Sequence, residues 1–260
     1  MDATTVARPF SRTLRSYLLE TRSEFLRILR NPGAAIPMLA FPMMFYAFFG
    51  VMLAQGEHGM QQSIYALAGL GSFGVISPGL AGFGAGFAID RGFGWLQLKR
   101  ATPMLAAAYL VAKLGMSILF AALITLVLSA MAAVLVHVQL SLLQWTQLFV
   151  TLVLGSVPFC ALGLAVGAWA KPTSAPAIIN AIYLPMSFLS GLWMPLQFLP
   201  KAVQDIALAL PAYHLGKLAY AAVGVSEDPL LPHLLALAGF SVGFLLLAAR
   251  GYRRNPPSNG

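Results

Sequence analysis

Long stretches without a charged residue alternate along this chain with short polar joints, and the joints mark out its elements. A bilayer core takes about 20 apolar residues in one helix. Windows of that kind fall at residues 31–56, 61–89, 104–135, 144–170, 173–193 and 231–249, so the pattern predicts an all-α polytopic membrane protein with six transmembrane helices. The third and fourth windows are parted by a polar stretch around His137, and Lys113 lies at the foot of the third. Ahead of the first window, Leu14, Tyr17, Leu18, Phe25, Ile28 and Leu29 recur at helical spacing, with Ser16, Glu20, Ser23, Arg27 and Arg30 on the opposite face. Residues 11–30 therefore predict an amphipathic helix at the membrane surface. No short apolar core with a small-residue cleavage site precedes the first window, so this segment is expected to be retained.

Composition supports a membrane class: 59% of residues are hydrophobic and 9% are charged, far below the roughly 25% charge of a soluble domain. Cys160 is the single cysteine and lies in an apolar run, which rules out an intrachain disulfide. The net charge of +8 is read as orientation and headgroup contact, and no basic patch interleaved with exposed aromatics points to nucleic acid. With six crossings, fourteen of the sixteen Lys and Arg residues fall on one face, leaving only Lys201 and Lys217 opposite. Positive charge favours the cytoplasmic side. Both termini are therefore expected in the cytoplasm, with Glu57, His137 and Asp205 facing outward.

Residues 194–230 then lie outside, between the fifth and sixth windows. Pro195, Pro200, Asp205, Pro211, His214 and Lys217 make this stretch too polar and broken for a seventh span, yet "AVQDIALALPAYHL" is too apolar for a free loop. Two short helices dipping into the outer leaflet, bent at Pro211, satisfy both facts if protein covers their backbone ends. This predicts a re-entrant helical pair acting as an outer gate. Within the windows, Pro37, Pro42, Pro78, Pro158 and Pro185 each remove an N–H, which is tolerated where neighbouring helices or a cavity satisfy the freed carbonyl. The second window carries Gly69, Gly71, Gly74, Gly79, Gly82, Gly84 and Gly86; Gly82 and Gly86 have the spacing of close helix contact.

The connection after the second window reads "AIDRGFGWLQLKRATPM", residues 88–104, an acid–base pair followed by Trp95, Leu96 and Leu98 and closed by Thr102–Pro103. A short amphipathic helix across the membrane surface fits it, and Arg91, Lys99 and Arg100 also suit anionic headgroups. This stretch resembles the coupling loop of type-2 ABC transporter permeases. The segment "FLSGLWMPLQFLP", with Ser190, Gly191, Pro195 and Pro200 in order and Pro211 and His214 after it, is similar to the same family's fifth-span ending.

The resemblance covers nearly the whole chain and implies a permease subunit of an ATP-driven exporter in the bacterial cytoplasmic (inner) membrane. It implies dimerisation with a second permease copy or a homologous permease, and cytoplasmic ATP-binding subunits as partners. Membrane lipids are the other expected contact. ATPase coupling would fall to loop 90–103, with Asp90, Arg91, Gly94, Leu96, Thr102 and Pro103, and to the interface helix, with Arg15, Arg22, Glu24, Arg27 and Arg30. The outer gate would comprise Ser190, Gly191, Pro195, Pro200, Pro211 and His214. The family commonly carries a longer acidic run at the loop start; here Asp90 stands alone before Arg91 and Gly92.

The chain has no G-x-x-x-x-G-K-[ST] phosphate loop, and "GLGSFG" at 69–74 lacks the lysine that reaches phosphate. ATP and Mg are expected in the partner, with no cofactor, metal or catalytic residue in this chain. An ion-coupled secondary transporter is the alternative, but it would place an ionisable residue mid-membrane, whereas every carboxylate here lies outside a window or at its edge. An intramembrane hydrolase would need a nucleophile and base together, and the four histidines have no evident partner. Phe45, Phe49, Phe73 and Phe188 would suit an amphipathic cargo or simple helix packing.

Overall fold

A computed structural model describes residues 10–52, 56, 58–93 and 106–254. The described residues are mostly helical and contain no strand. The helices are α1 (Phe10–Leu29), α2 (Pro32–Met52), α3 (Gly59–Gly92), α4 (Ala106–Leu135), α5 (Leu142–Trp169), α6 (Ala175–Leu189), α7 (Lys201–Ala207), α8 (Pro211–Ala222) and α9 (Leu230–Arg254). Five of them, α2, α3, α4, α5 and α9, are long and apolar enough to cross a membrane.

The crossing expected from the fifth window differs from that window. Helix α6 is apolar but only 15 residues long, about 22 Å at 1.5 Å per residue, against a hydrocarbon core of about 30 Å. Its window runs on to residue 193, but the helix closes at Leu189. The cause is Gly191, whose φ of 73° is a left-handed conformation that a right-handed helix cannot continue through.

Helix α3 is the centre of the bundle: 78% of its most apolar stretch is buried, against 6% for α9 at the periphery. Its glycines explain how it fits there. A Cβ on Gly84 would lie 2.6 Å from the Gly163 carbonyl oxygen, and a Cβ on Gly163 would collide with the Gly79 carbonyl. Gly167 likewise abuts the Gly84 carbonyl. Helices α3 and α5 thus meet backbone to backbone along Gly79, Gly84, Gly163 and Gly167, which is how small residues drive helix association without a hydrophobic effect. Gly82 and Gly86, the pair with the expected spacing, face Met116, Ile28 and Lys113 instead.

Prolines shape the long helices. After Pro42, α2 widens to π-helical turns over Tyr46–Met52, and α3 does the same over Pro78–Ala85. Helix α5 breaks at Ser156, whose carbonyl accepts from the N–H groups of Phe159 and Cys160, the two residues after Pro158. Its start is fixed by a capping box, in which the Ser141 hydroxyl accepts from the Gln144 N–H and the Gln144 amide oxygen accepts from the Ser141 N–H.

An aromatic core fills the space between α2, α3 and α6. Phe73 is fully buried, stacks on Tyr183 at 4.7 Å and meets Trp193 edge-on at 5.3 Å. Phe45 packs on both Phe73 and Trp193. Of the aromatics open to two readings, Phe73 is therefore a packing residue, whereas Phe188 remains exposed. Helix α9 joins the bundle along α5, where the Trp169 Nε1–H donates to the Leu247 carbonyl at 3.0 Å.

Candidate functional site

The last turn of α3 gathers charge where the apolar run ends. Asp90 and Arg91 are both helical there, rather than lying in the loop that follows. Asp90 is buried, and so are Glu24 of α1 and Lys113 of α4, the last with no exposed surface. Lys113 Nζ lies 3.1 Å from Glu24 Oε2 and 3.1 Å from Asp90 Oδ2. Arg27 closes the group from the solvent side, with Nη1 at 3.2 Å from Asp90 Oδ1 and Nη2 at 3.5 Å from Glu24 Oε2. The Tyr109 hydroxyl donates to Asp90 Oδ2 at 2.6 Å, and its ring lies 5.1 Å beneath the Lys113 ammonium.

Two carboxylates and two cations thus form a neutral cluster drawn from α1, α3 and α4. Neutrality is what allows it to be buried, because an unpaired charge there would carry an uncompensated desolvation penalty of several kcal/mol. Arg27, on the surface helix, is half exposed. Its partial burial lowers the guanidinium pKa, but the nearby Glu24 and Asp90 charges outweigh that, so the net shift is upward and it stays cationic.

Arg91 points the other way. Its Nη1 donates to the Ala168 carbonyl at 2.5 Å and its Nη2 to the Ala170 carbonyl at 2.7 Å. These carbonyls lie at the C-terminal end of α5, where the helix dipole favours a cation. Gly92 fits beside them because any side chain would strike the Pro172 ring. The turn from which residues 94–105 depart is therefore tied to α1, α4 and the α5–α6 connection at once. Gly94, Leu96, Thr102 and Pro103 lie outside the described residues.

The face that α1 turns to α4 differs from the one its hydrophobic pattern marks. Thr21 seats against Gly115, Phe25 stacks near Phe120 at 4.6 Å, and Glu24 and Ile28 are buried. Leu18, Leu19 and Leu29 are exposed, alongside exposed Arg15, Arg22 and Arg30. A buried carboxylate in the packing stripe shifts the helix away from its purely apolar register.

At the far end of α3, about 37 Å from Asp90 by helical rise over the 25 residues to Tyr65, a second constellation surrounds the end of α6. The Gly191 carbonyl accepts from the Tyr65 hydroxyl at 2.8 Å and from the Tyr220 hydroxyl at 2.9 Å, and the two rings stack at 4.4 Å. Ser190 is buried and its hydroxyl has no hydrogen-bond partner among the described residues. Pro195 leads into a 3₁₀ turn, Pro200 precedes α7 and Pro211 opens α8. Ser190, Tyr65, Lys201, Gln204, Tyr213 and Lys217 are among the residues lining a cavity of about 700 Å³ there. Lys217 Nζ binds Asp228 Oδ2 at 2.7 Å; that bond and one from the Ser226 hydroxyl hold the Asp228 carboxyl below the usual carboxylate range. His214 contacts His233 and the Leu208 carbonyl. The structure brings Ser190, Gly191 and Pro195 to the cavity wall, while Pro211 and His214 stand on α8 beside it.

An all-helical bundle with several membrane-length helices, a charge cluster at one end and a polar cavity at the other defines a multi-pass membrane protein of the transport class. The ABC-2 type transporter family model matches residues 16–223, and the chain belongs to that family. It is 29% identical over 228 residues, covering 87% of this chain and 92% of the relative, to a protein of Bacillus subtilis (strain 168) named "Putative transport permease YvfS". The chain is thus an ABC transporter permease, and its family implies an ATP-binding partner subunit.

Proposed function

We propose that this permease forms, with a second copy or a homologous permease, the membrane path of an ATP-driven exporter, and that the buried charge cluster couples it to cytoplasmic ATP-binding subunits. Those subunits would bring the ATP and Mg. The observation that carries the reading is the anchoring of one helical turn, Asp90–Arg91, to α1, α4 and the end of α5 immediately before residues 94–105. Nucleotide-driven closure of a partner can favour one permease arrangement only through differential contact. A turn tied to α1, α4 and the end of α5 passes such a contact on to the bundle as a whole.

In this reading α6 is the fifth of six crossings, completed by residues 190–193, and α7 and α8 are a re-entrant pair closing the outer end. Their lengths, 7 and 12 residues, give about 10 and 18 Å, too short to cross. Both termini and α1 then lie in the cytoplasm, at the inner membrane of a bacterium. An ion-coupled carrier would keep a carboxylate free for its ion, whereas Asp90 and Glu24 are both committed to Lys113 and Arg27.

The test has two parts. Tagged protein isolated from its native membrane in mild detergent should carry a stoichiometric ATP-binding subunit, and the reconstituted complex with Arg91→Ala should hydrolyse ATP while transport falls at least tenfold. Absence of the subunit from a folded, dimeric preparation refutes the ATP-driven reading. Unchanged transport in Arg91→Ala refutes the coupling role of this turn.

A further inference from the structure

The polar cavity beside Gly191 takes no part in coupling, and its walls restrict what can bind there. Its volume of about 700 Å³ falls within the roughly 300–1,000 Å³ of small-molecule sites, which combine aromatic lining with a few placed polar groups. Tyr65, Tyr213 and Tyr220 supply the rings. The buried part of the wall is neutral. Ser190 is 3% exposed, and its hydroxyl has no hydrogen-bond partner among the described residues; a buried hydroxyl is costly to leave unbonded. Tyr65 donates its proton to the Gly191 carbonyl, so its oxygen can only accept from a ligand.

The charged groups of the wall are balanced. Lys201 and Asp205 lie one turn apart on α7, both exposed, and neither has a hydrogen bond or ion pair among the described residues. Lys217 is bonded to Asp228 at 2.7 Å. Two ammonium groups are thus matched by two carboxylates. Lys201 and Lys217 are also the two basic residues that the charge bias leaves on the outer face, and both line this one cavity.

Matching donors to acceptors narrows the ligand. Lysine only donates, a carboxylate and the Tyr65 oxygen only accept, and the Ser190 hydroxyl does either. A phosphate or carboxylate ligand brings acceptors alone and sets them against Asp205 and Tyr65. An ammonium brings donors alone and meets Lys201 in the same way. Either ion also has to leave water for the neutral wall around Ser190, where nothing compensates its charge. A hydroxyl donates and accepts and has no charge to desolvate, so several of them on one ring answer all four groups.

We propose that this cavity is a binding site for a neutral polyhydroxylated group, a sugar ring foremost, with Tyr65, Ser190, Lys201 and Asp205 as its polar contacts. The group can arrive on a free saccharide or as the headgroup of a glycolipid. Access from the outer side rests on the export reading; the binding itself does not.

The experiment uses the full chain in phosphatidylcholine nanodiscs, with methyl glucoside, methyl galactoside and methyl mannoside as soluble probes and saturation-transfer NMR as the readout. The expected result is transfer to at least one sugar and none to phosphoethanolamine. Ser190→Ala, Lys201→Met and Asp205→Asn should each weaken sugar binding by about fivefold or more, the equivalent of one hydrogen bond. These three side chains make no hydrogen bond or ion pair among the described residues, so the variants break none. Discs doped with monoglucosyl diacylglycerol separate the two sources: competition with the soluble sugar marks a glycolipid headgroup, its absence marks a free saccharide, and either bears out the site. No transfer to any of the sugars in wild type overturns the proposal, as does undiminished transfer in the triple variant or transfer to phosphoethanolamine in place of sugar. The readout needs no ATP-binding subunit, so failure here and failure of the export reading are separate results.

Discussion

Replacing Lys113 with methionine tests the charge cluster most directly. The ammonium is wholly buried and lies 3.1 Å from each of two buried carboxylates. Methionine keeps most of the length of the side chain, so the packing against Tyr109 changes little while the charge is lost. The cation that Glu24 and Asp90 then still share is Arg27, whose side chain is 49% exposed. Removing one partner of a buried ion pair costs about 3–5 kcal/mol, because the charge left behind is uncompensated. Lys113→Met should therefore lose stability in that range. Glu24→Gln leaves an unbalanced positive charge and should also destabilise. In the double variant, Arg27 and Asp90 remain as a balanced pair, so the two losses should not add, and the coupling energy is expected at about 2–3 kcal/mol. The assay is equilibrium unfolding in mixed detergent micelles of the wild type, both single variants and the double variant. A loss below about 1 kcal/mol for Lys113→Met, or additivity within about 0.5 kcal/mol, would refute the reasoning.

Other expectations follow from the far end of the bundle. Gly191→Ala should destabilise by about 1–3 kcal/mol, since alanine resists the left-handed conformation and its Cβ would lie 2.6 Å from Leu196 Cγ; unfolding measurements equal to wild type would remove Gly191 as the cause of the helix end. Tyr65→Phe and Tyr220→Phe should each cost about 1 kcal/mol by deleting one bond to the Gly191 carbonyl, read in the same unfolding assay. A cysteine in place of Gln204 should react with an impermeant thiol reagent added to intact cells, and reaction only after membrane disruption would invert the topology.

The helical class of this protein is plain in its apolar windows because membrane length and charge-free composition are local properties. Helix ends are not. Asp90 and Arg91 look like the opening of a loop, yet α3 continues through them, since Asp90 is neutralised by groups 63 positions earlier and 23 later and Arg91 caps a different helix. Lys113 reads as a lone basic residue at a span foot for the same reason. Its partners come from helices that the sequence alone does not place beside it. The contact of Gly163 and Gly167 with α3 was equally hidden, although their four-residue spacing in the fourth window is a visible signal. Ser190 and Gly191 do announce a break. What they do not disclose is that two tyrosine hydroxyls from α3 and α8 converge on the same carbonyl.

The glycine seam between α3 and α5 has a mechanical consequence. Where Gly79 and Gly84 touch Gly163 and Gly167, no flexible side chain lies between the two backbones to absorb a displacement. Arg91 bolts the same two helices together at their common end. A force applied to the last turn of α3 therefore has no slack to take up and moves both helices as one strut. Any relative motion in this subunit has to be found at other joints, because α9 too is fastened to the strut, through the Trp169–Leu247 hydrogen bond and the seat of Gly251 against Trp169.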